Sequence, residues 1–246
     1  MTRERKPKPK RVPLAVRDVT GEAAITRLRV ADRRAARIIV ELDGEPWAEL
    51  DSEVVLRHAL ENGHLLDDAA RQVLLGDAAF VRVRRAAAIL LQARPRAEAE
   101  LRRLLLQRRH AETAVDRVVA HLREKGDLDD ARFARLYAAH RLRTRREGPR
   151  RTAQALRRLG VEERSVAAAL ADAGEQDPGG EERHAREFAE RRLRRLAAEP
   201  DPVRRRRKLL EAMQRAGFDP DVATAVARQV LDEAGDDAAC QRPVGE

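Results

Sequence analysis

Arginine is the side chain through which this sequence offers most of its chemistry. Between Ala131 and Gly160 stand Arg132, Arg135, Arg141, Arg143, Arg145, Arg146, Arg150, Arg151, Arg157 and Arg158, and the single acid among them is Glu147. The guanidinium group is planar and permanently charged, and it matches phosphate or carboxylate with two parallel hydrogen bonds. The chemistry this segment can do is therefore charge pairing with a polyanion. Its net charge of +9 equals the formal charge of the whole 246-residue chain, so the remainder sums to zero. The five lysines are Lys6, Lys8, Lys10, Lys125 and Lys208, and nearly all the basicity is arginine. Heavy use of Arg and Ala also follows from a GC-rich genome. That bias would spread arginine evenly and would not strip the acids from one stretch.

The other reactive side chains do not assemble into a catalytic pattern. The six histidines contain no HExxH pair, and His58 and His64 are separated by six positions with Gly63 between them, so they do not share a helix face for a metal. His121 and His140 read as amphipathic surface residues. Asp67-Asp68 and Asp129-Asp130 stand at expected helix starts, where an aspartate caps free amides and suits the helix dipole; they read as caps before metal ligands. Asp236-Asp237 falls in a polar tail with the single cysteine, Cys240, which allows neither a disulfide framework nor a cysteine metal site. There is no phosphate-cradling glycine loop, and Gly179-Gly180 reads as a linker. No catalytic, metal-binding or cofactor-binding residue is expected, and the chain does not read as an enzyme. Aromatic residues make up 2% of the chain. Phe133, Tyr137, Phe188 and Phe218 read as core and Trp47 as a core or edge anchor. Stacking on single strands needs exposed aromatic platforms, so any nucleic-acid contact is expected to reach phosphate and to be sensitive to salt.

The elements that carry these arginines repeat. Pro95-Arg96, Pro149-Arg150-Arg151 and Pro202-Val203-Arg204 each read as a helix start, and the three prolines lie 54 and 53 residues apart. A period near fifty residues is the mark of a tandem helical array, usually a binding surface. Gly160-Val161 and Gly217-Phe218 align 57 residues apart, and Arg109-His110 occupies the same register earlier in the chain. In that alignment Leu105, Leu156 and Met213 coincide, as do Val118, Ala169 and Val226. The composition favours helix over sheet.

The expected fold is mainly α: a tandem array of three three-helix repeats behind a small α+β N-terminal cap. Residues 1–22, with KPKPKRVP at Lys6–Pro13, read as a disordered basic arm. Residues 23–76 read as the cap. It has strands at Ile25–Val30, Arg37–Leu42 and Pro46–Leu50, an Asp43-Gly44 type I′ turn, and helices at 52–60 and 67–75. The repeats are 77–127 (helices 78–92, 95–108, 111–125), 128–176 (129–146, 149–159, 162–173) and 180–234 (181–198, 203–216, 220–233), and 235–246 reads as a disordered tail. Cations in the first turn of a helix oppose its dipole by about 0.3–1 kcal/mol each. The starts at Arg150-Arg151 and Arg204–Lys208 accept that opposition. The free amides there plus arginine read as an anion site. Arg141 and Arg145 share a face, as do Arg150 and Arg157.

RPRAEAELRRLL (Arg94–Leu105), GDLDDARFA (Gly126–Ala134), the stretch from Arg141 to Gly148-Pro149-Arg150-Arg151, and AGF (Ala216–Phe218) together resemble the RecX family of recombination regulators. The resemblance covers roughly residues 24–234. It implies a curved array of three-helix repeats and a non-enzymatic modulator of the RecA recombinase. Such a modulator would lie in the groove of the RecA–DNA filament and suppress ATP hydrolysis, strand exchange and the co-protease role, in DNA repair and the SOS response. Three positions depart from the family pattern: Ala97 stands where a serine cap is common, Asp127 replaces an aromatic, and Arg109-His110 replaces a glycine–apolar pair.

The partner-binding residues expected are Arg141, Arg145, Arg150, Arg151, Arg157 and Arg158, with Arg204, Arg205, Arg206 and Arg207 secondary, all pairing charge. The expected partner is the RecA filament, with DNA phosphate as a second contact. A stand-alone architectural DNA-binding protein is the competing reading. The protein is expected to be a cytoplasmic monomer: no apolar stretch approaches the ~20 residues that span a bilayer, and the basic N-terminus has no apolar segment behind it.

Overall fold

The computed structural model describes residues 15–32, 36–145 and 147–235, of Arg145 the backbone alone. Most of the expected N-terminal arm, the tail with Cys240 and Asp236-Asp237, and Arg146 lie outside the described residues. The chain forms two compact units. One comprises residues up to Ala93 together with Leu104–His121, and the other Arg94–Arg103 together with residues from Leu122 onward.

The first unit opens with three antiparallel strands, β1 (Ala23–Asp32), β2 (Arg37–Leu42) and β3 (Glu45–Asp51). Asp43 and Gly44 turn β2 into β3 with φ of 50° and 85°, the pair of positive φ angles that a type I′ turn requires. The register sets Val40 opposite Ala48 and Ile38 opposite Leu50. Val40, Leu42, Trp47, Ala48 and Leu50 are buried, so Trp47 is a core residue as expected. A short helix α1 (Ser52–Arg57) follows, and then a two-residue strand, β4 (Leu65–Leu66), that pairs with Ala23 and Ala24. The sheet order is β3-β2-β1-β4. Two residues give no periodicity to read, and β4 was not foreseen.

One helix, α2 (Asp68–Ala93), occupies the place of the two expected at 67–75 and 78–92. Arg71, Leu74, Ala78 and Val81 are buried, so the helical stripe runs unbroken across Gly76. An interior glycine costs a helix about 1 kcal/mol but does not interrupt its hydrogen bonds, and the expected boundary at 76/77 falls inside α2. Arg71 is buried, and its guanidinium donates to the backbone carbonyls of Leu66, Val19 and Gly21. The helices α3 (Glu98–Gln107) and α4 (Glu112–Glu124) are shared between the two units. His121 is half-buried and packs edge-on against Phe80, with ring centroids 5.5 Å apart, so it is not the plain surface residue expected.

The second unit contains two three-helix groups. In the first, α5 (Asp130–Arg145), α6 (Pro149–Arg158) and α7 (Glu163–Gln176) enclose Phe133, Ala134, Ala138, Leu156, Val166 and Ala169. In the second, α8 (Gly180–Arg195), α9 (Pro202–Ala216) and α10 (Pro220–Glu233) enclose Leu209, Met213, Phe218, Val226 and Val230. Gly179-Gly180, expected as a linker, instead opens α8, with Gly179 as its N-cap. The aligned positions are all core: Leu105, Leu156 and Met213 are fully buried, and Val118, Ala169 and Val226 are buried. Gly160 and Gly217 end their helices with φ of 88° and 89°, and Arg109 takes the same left-handed conformation, φ 61°, without being glycine.

Candidate polyanion-binding cleft

At the start of α6, two amides are taken by a neighbouring helix. Gly148 N donates to Ala216 O at 2.9 Å and Arg150 N to Gly217 O at 3.0 Å. The amide end of α6 thus meets the carbonyl end of α9, and unsatisfied backbone groups of both helices are paired at once. The approach is close. A Cβ on Gly148 would overlap the Gly217 carbonyl and Phe218 N, and one on Gly217 would overlap the Arg151 backbone. The expected anion cradle at Pro149 is filled by the neighbouring helix. The two arginines oppose the dipole of α6 but stand at the negative end of α9. Arg151 donates to Arg215 O at 3.3 Å, and Arg150 pairs with Asp219, the N-cap of α10, at 3.0 Å.

Beside this joint the second unit has an open cleft of about 1050 Å³, lined by Arg141, Arg150, Arg151, Arg157, Arg158 and Arg215 with Glu147 the only acid. Tyr137, Gln154, Leu170 and Gln214 complete much of its wall. Arg141 is held in place: it donates to the Tyr137 hydroxyl and to Glu147, both at 2.8 Å, and its guanidinium lies 5.0 Å from the Tyr137 ring centre. Burial disfavours that charge, but the hydrogen bonds to Tyr137 and the Glu147 carboxylate outweigh it and hold the guanidinium above its ordinary value. Tyr137, expected as plain core, is half-buried and orients this arginine. Arg157 makes a two-pronged pair with Glu163 at 2.6 and 2.7 Å, which raises the arginine and lowers the carboxyl from their usual ranges. Arg158 is exposed and has no ion pair among the described residues.

Five of the six primary residues therefore converge on one cleft, and the side chain of Arg145 is outside the described set. Arg204 to Arg207 do not line it. Asp201 caps α9, accepting from Val203 N at 2.9 Å, and takes Arg204 at 3.3 Å. Arg205 donates to the Glu199 carbonyl at 3.0 Å, and Arg207 lies 3.8 Å from Glu211. The expected anion site at this second start is occupied by the chain's own aspartate. The cleft residue that the sequence reading overlooked is Arg215. The 57-residue register that aligns Gly160 with Gly217 also aligns Arg158 with Arg215, so the signal was available.

The first Pro-Arg pair precedes its helix, since α3 begins at Glu98. Arg94 and Arg96 fold onto the buried carboxylate of Glu100, Arg96 at 2.8 Å. Ala97 supplies no cap, and Asp130 of α5 replaces it by accepting from Glu98 N at 2.8 Å. Burial raises the Asp130 carboxyl despite that hydrogen bond. Asp129 caps α5 through Arg132 N at 2.9 Å, and Asp67 caps α2 through Ala70 N at 2.7 Å. Both aspartate pairs in the described chain are thus caps. Among the described residues no group of three or more His, Cys, Asp or Glu is placed to hold a metal ion, and no helix is long and apolar enough to cross a membrane.

Two family models match this region: "RecX, second three-helix domain" over residues 129–170 and "RecX, third three-helix domain" over 181–226. The chain is 34% identical over 140 residues to a regulatory protein RecX from Mycobacterium sp. (strain JLS), covering 56% of this chain and 75% of that one. It is 27% identical over 218 residues to the regulatory protein RecX of Lactobacillus delbrueckii subsp. bulgaricus, covering 87% and 78%. In fold it is similar to a crystal structure of regulatory protein RecX, with a TM-score of 0.68 at 23% identity over 83% of this chain and 98% of that one. It also resembles RecX from Lactobacillus salivarius, with a TM-score of 0.54 at 16% identity over 62% and 96%.

Proposed function

This chain belongs to the RecX family, and from that premise we propose that it is a non-enzymatic regulator that binds the groove of the RecA–DNA filament in the cytoplasm as a monomer. There it inhibits RecA ATP hydrolysis, strand exchange and co-protease activity, and so restrains recombination and the SOS response. The observation that carries this reading is the cleft with six arginines against one glutamate, set within the second and third family-matched regions. Arg158 and Arg215 meet the partner's phosphates or carboxylates directly. Arg141, pinned by Tyr137 and Glu147, presents a guanidinium that needs little ordering on binding. Arg150 and Arg151 both hold the α6–α9 joint and face the cleft. Arg204 to Arg207 add a secondary basic surface away from it.

The test is an ATPase titration on preformed RecA filaments on single-stranded DNA, with wild type and Arg158→Glu. Wild type inhibits well below stoichiometric coverage of the DNA. Arg158→Glu, free of structural duties, is expected to need about tenfold more protein for the same inhibition, with its helicity unchanged. Equal potency of the two would rule out the cleft. The competing reading, an architectural protein bound through DNA phosphate, predicts that inhibition appears only when the lattice is coated and that added DNA relieves it.

A further inference from the structure

A second cavity, about 300 Å³, lies against the first and is lined by Arg151, Arg191, Arg192, Arg195 and Arg215 with no acid in its wall. Phe188 forms its apolar side. Apart from Arg151 of α6, it belongs to α8 and α9, outside the basic segment that the sequence singles out. The carboxylates that reach Arg151, Arg191 and Arg215 do so only at long range. Glu187 lies 4.0 Å from Arg191, Glu211 lies 3.9 Å from Arg215, and Glu147 lies 3.8 Å from Arg151. Elsewhere in this unit arginines meet carboxylates closely, as in Arg186–Glu233 at 2.9 Å and Arg157–Glu163 at 2.6 Å. Arg192 and Arg195 have no ion pair among the described residues, and Arg192 Nε is buried without a hydrogen-bond partner. A buried orphan donor among arginines with only long ion pairs or none is costly unless an anion completes it.

We propose that this cavity binds a chain of linked phosphates, the triphosphate moiety of a free nucleotide or an inorganic polyphosphate. Charge density selects that ligand. A nucleic-acid backbone carries one negative charge per nucleotide, so a cavity of this size would receive one such charge against five guanidinium groups. Linked phosphates place several charges within the same volume, and two-pronged guanidinium contacts suit their oxygens. Because Arg151 and Arg215 line both cavities, an occupied phosphate site also withdraws two cations from the larger cleft. The site stands on its own geometry and does not depend on what the larger cleft binds.

The experiment is isothermal titration of the full chain with inorganic tripolyphosphate, with ATP, with sulfate at matched ionic strength and with a short single-stranded oligonucleotide. The expected result is saturable one-to-one binding of tripolyphosphate, weakened on the order of tenfold or more in Arg192→Glu with Arg195→Glu. The Arg192→Gln variant lies between them, and Arg164→Glu, a charge-reversal control on α7 that changes the net charge more than Arg192→Gln does, keeps the wild-type affinity. Equal affinities for tripolyphosphate and ATP assign the site to the phosphate chain alone, and tighter ATP assigns it to a nucleotide. Tripolyphosphate binding no tighter than that of sulfate, or equally weakened by Arg164→Glu, would overturn the proposal, as would binding of the oligonucleotide alone. Unchanged circular dichroism of the double variant separates lost binding from lost fold.

Discussion

The starts of α6 and α9 carry nearly the same sequence signature, a proline followed by arginines, yet they end differently. At the start of α6 the Gly148 and Arg150 amides donate to the Ala216 and Gly217 carbonyls of the helix beside it, and the Arg150 and Arg151 side chains lie over a cleft. The α9 amides are taken by Asp201 three residues or fewer away, and the following arginines pair locally with Asp201, the Glu199 carbonyl and Glu211. A cap supplied by a distant helix brings no carboxylate of its own, and the acids that do reach Arg150 and Arg151, Asp219 at 3.0 Å and Glu147 at 3.8 Å, leave both side chains lining the cleft. A cap supplied by an adjacent aspartate brings a neutralising charge with it. Of these two starts, the one met by backbone carbonyls is the one whose arginines line the cleft.

That contrast can be broken at each end. Gly148→Ala sets a Cβ into the Gly217 carbonyl, backbone against backbone, where neither side can give way cheaply. It is expected to destabilise the protein by about 3 kcal/mol, the upper range for overpacking, in denaturant unfolding. Asp201→Ala removes one side-chain cap and should cost about 1 kcal/mol, a shift in Tm of roughly 2–4 °C for a chain of this size. A loss at Gly148 no larger than that at Asp201 would erase the distinction between the two starts. Smallest is the coupling between Arg150 and Asp219, both well exposed. A double-mutant cycle to alanine should return about 0.5 kcal/mol, vanishing at high salt. A coupling several times larger would make Arg150 a structural residue of the joint rather than a cleft residue.

The same close approach occurs twice. A Cβ on Gly160 would overlap Ala99 near the start of α3, as one on Gly217 would overlap Arg151 near the start of α6. The glycines at this register thus serve close approach as well as positive φ. Arg109 keeps the left-handed turn and, with a Cβ, departs from the pattern. This repeat was legible because it rests on prolines and glycines, whose backbone limits are intrinsic. The helices of the second unit fall within a few residues of where their prolines, glycines and apolar spacing put them. What failed were the features with no local signature. A buried stripe carried α2 through Gly76. The two residues of β4 form a strand only because Ala23 and Ala24 are there to pair with. The cap that Ala97 lacks comes from Asp130, a residue 33 positions along the chain.

For the cleft the division is sharper. Composition and order alone determined that the charge excess lies between Ala131 and Gly160, that helices carry it, and that few aromatics remain for stacking, because these follow from side-chain type and period. Only the tertiary structure decided which guanidinium groups lie together. It drew Arg215 into the cleft beside Arg141, Arg150, Arg151, Arg157 and Arg158, set Arg191, Arg192 and Arg195 in the adjoining cavity, and left Arg204, Arg205 and Arg207 to nearby carboxylates and carbonyls. The physical reason is that electrostatic interaction depends on distance and on what already satisfies each charge, and both are set by how α6, α8 and α9 meet.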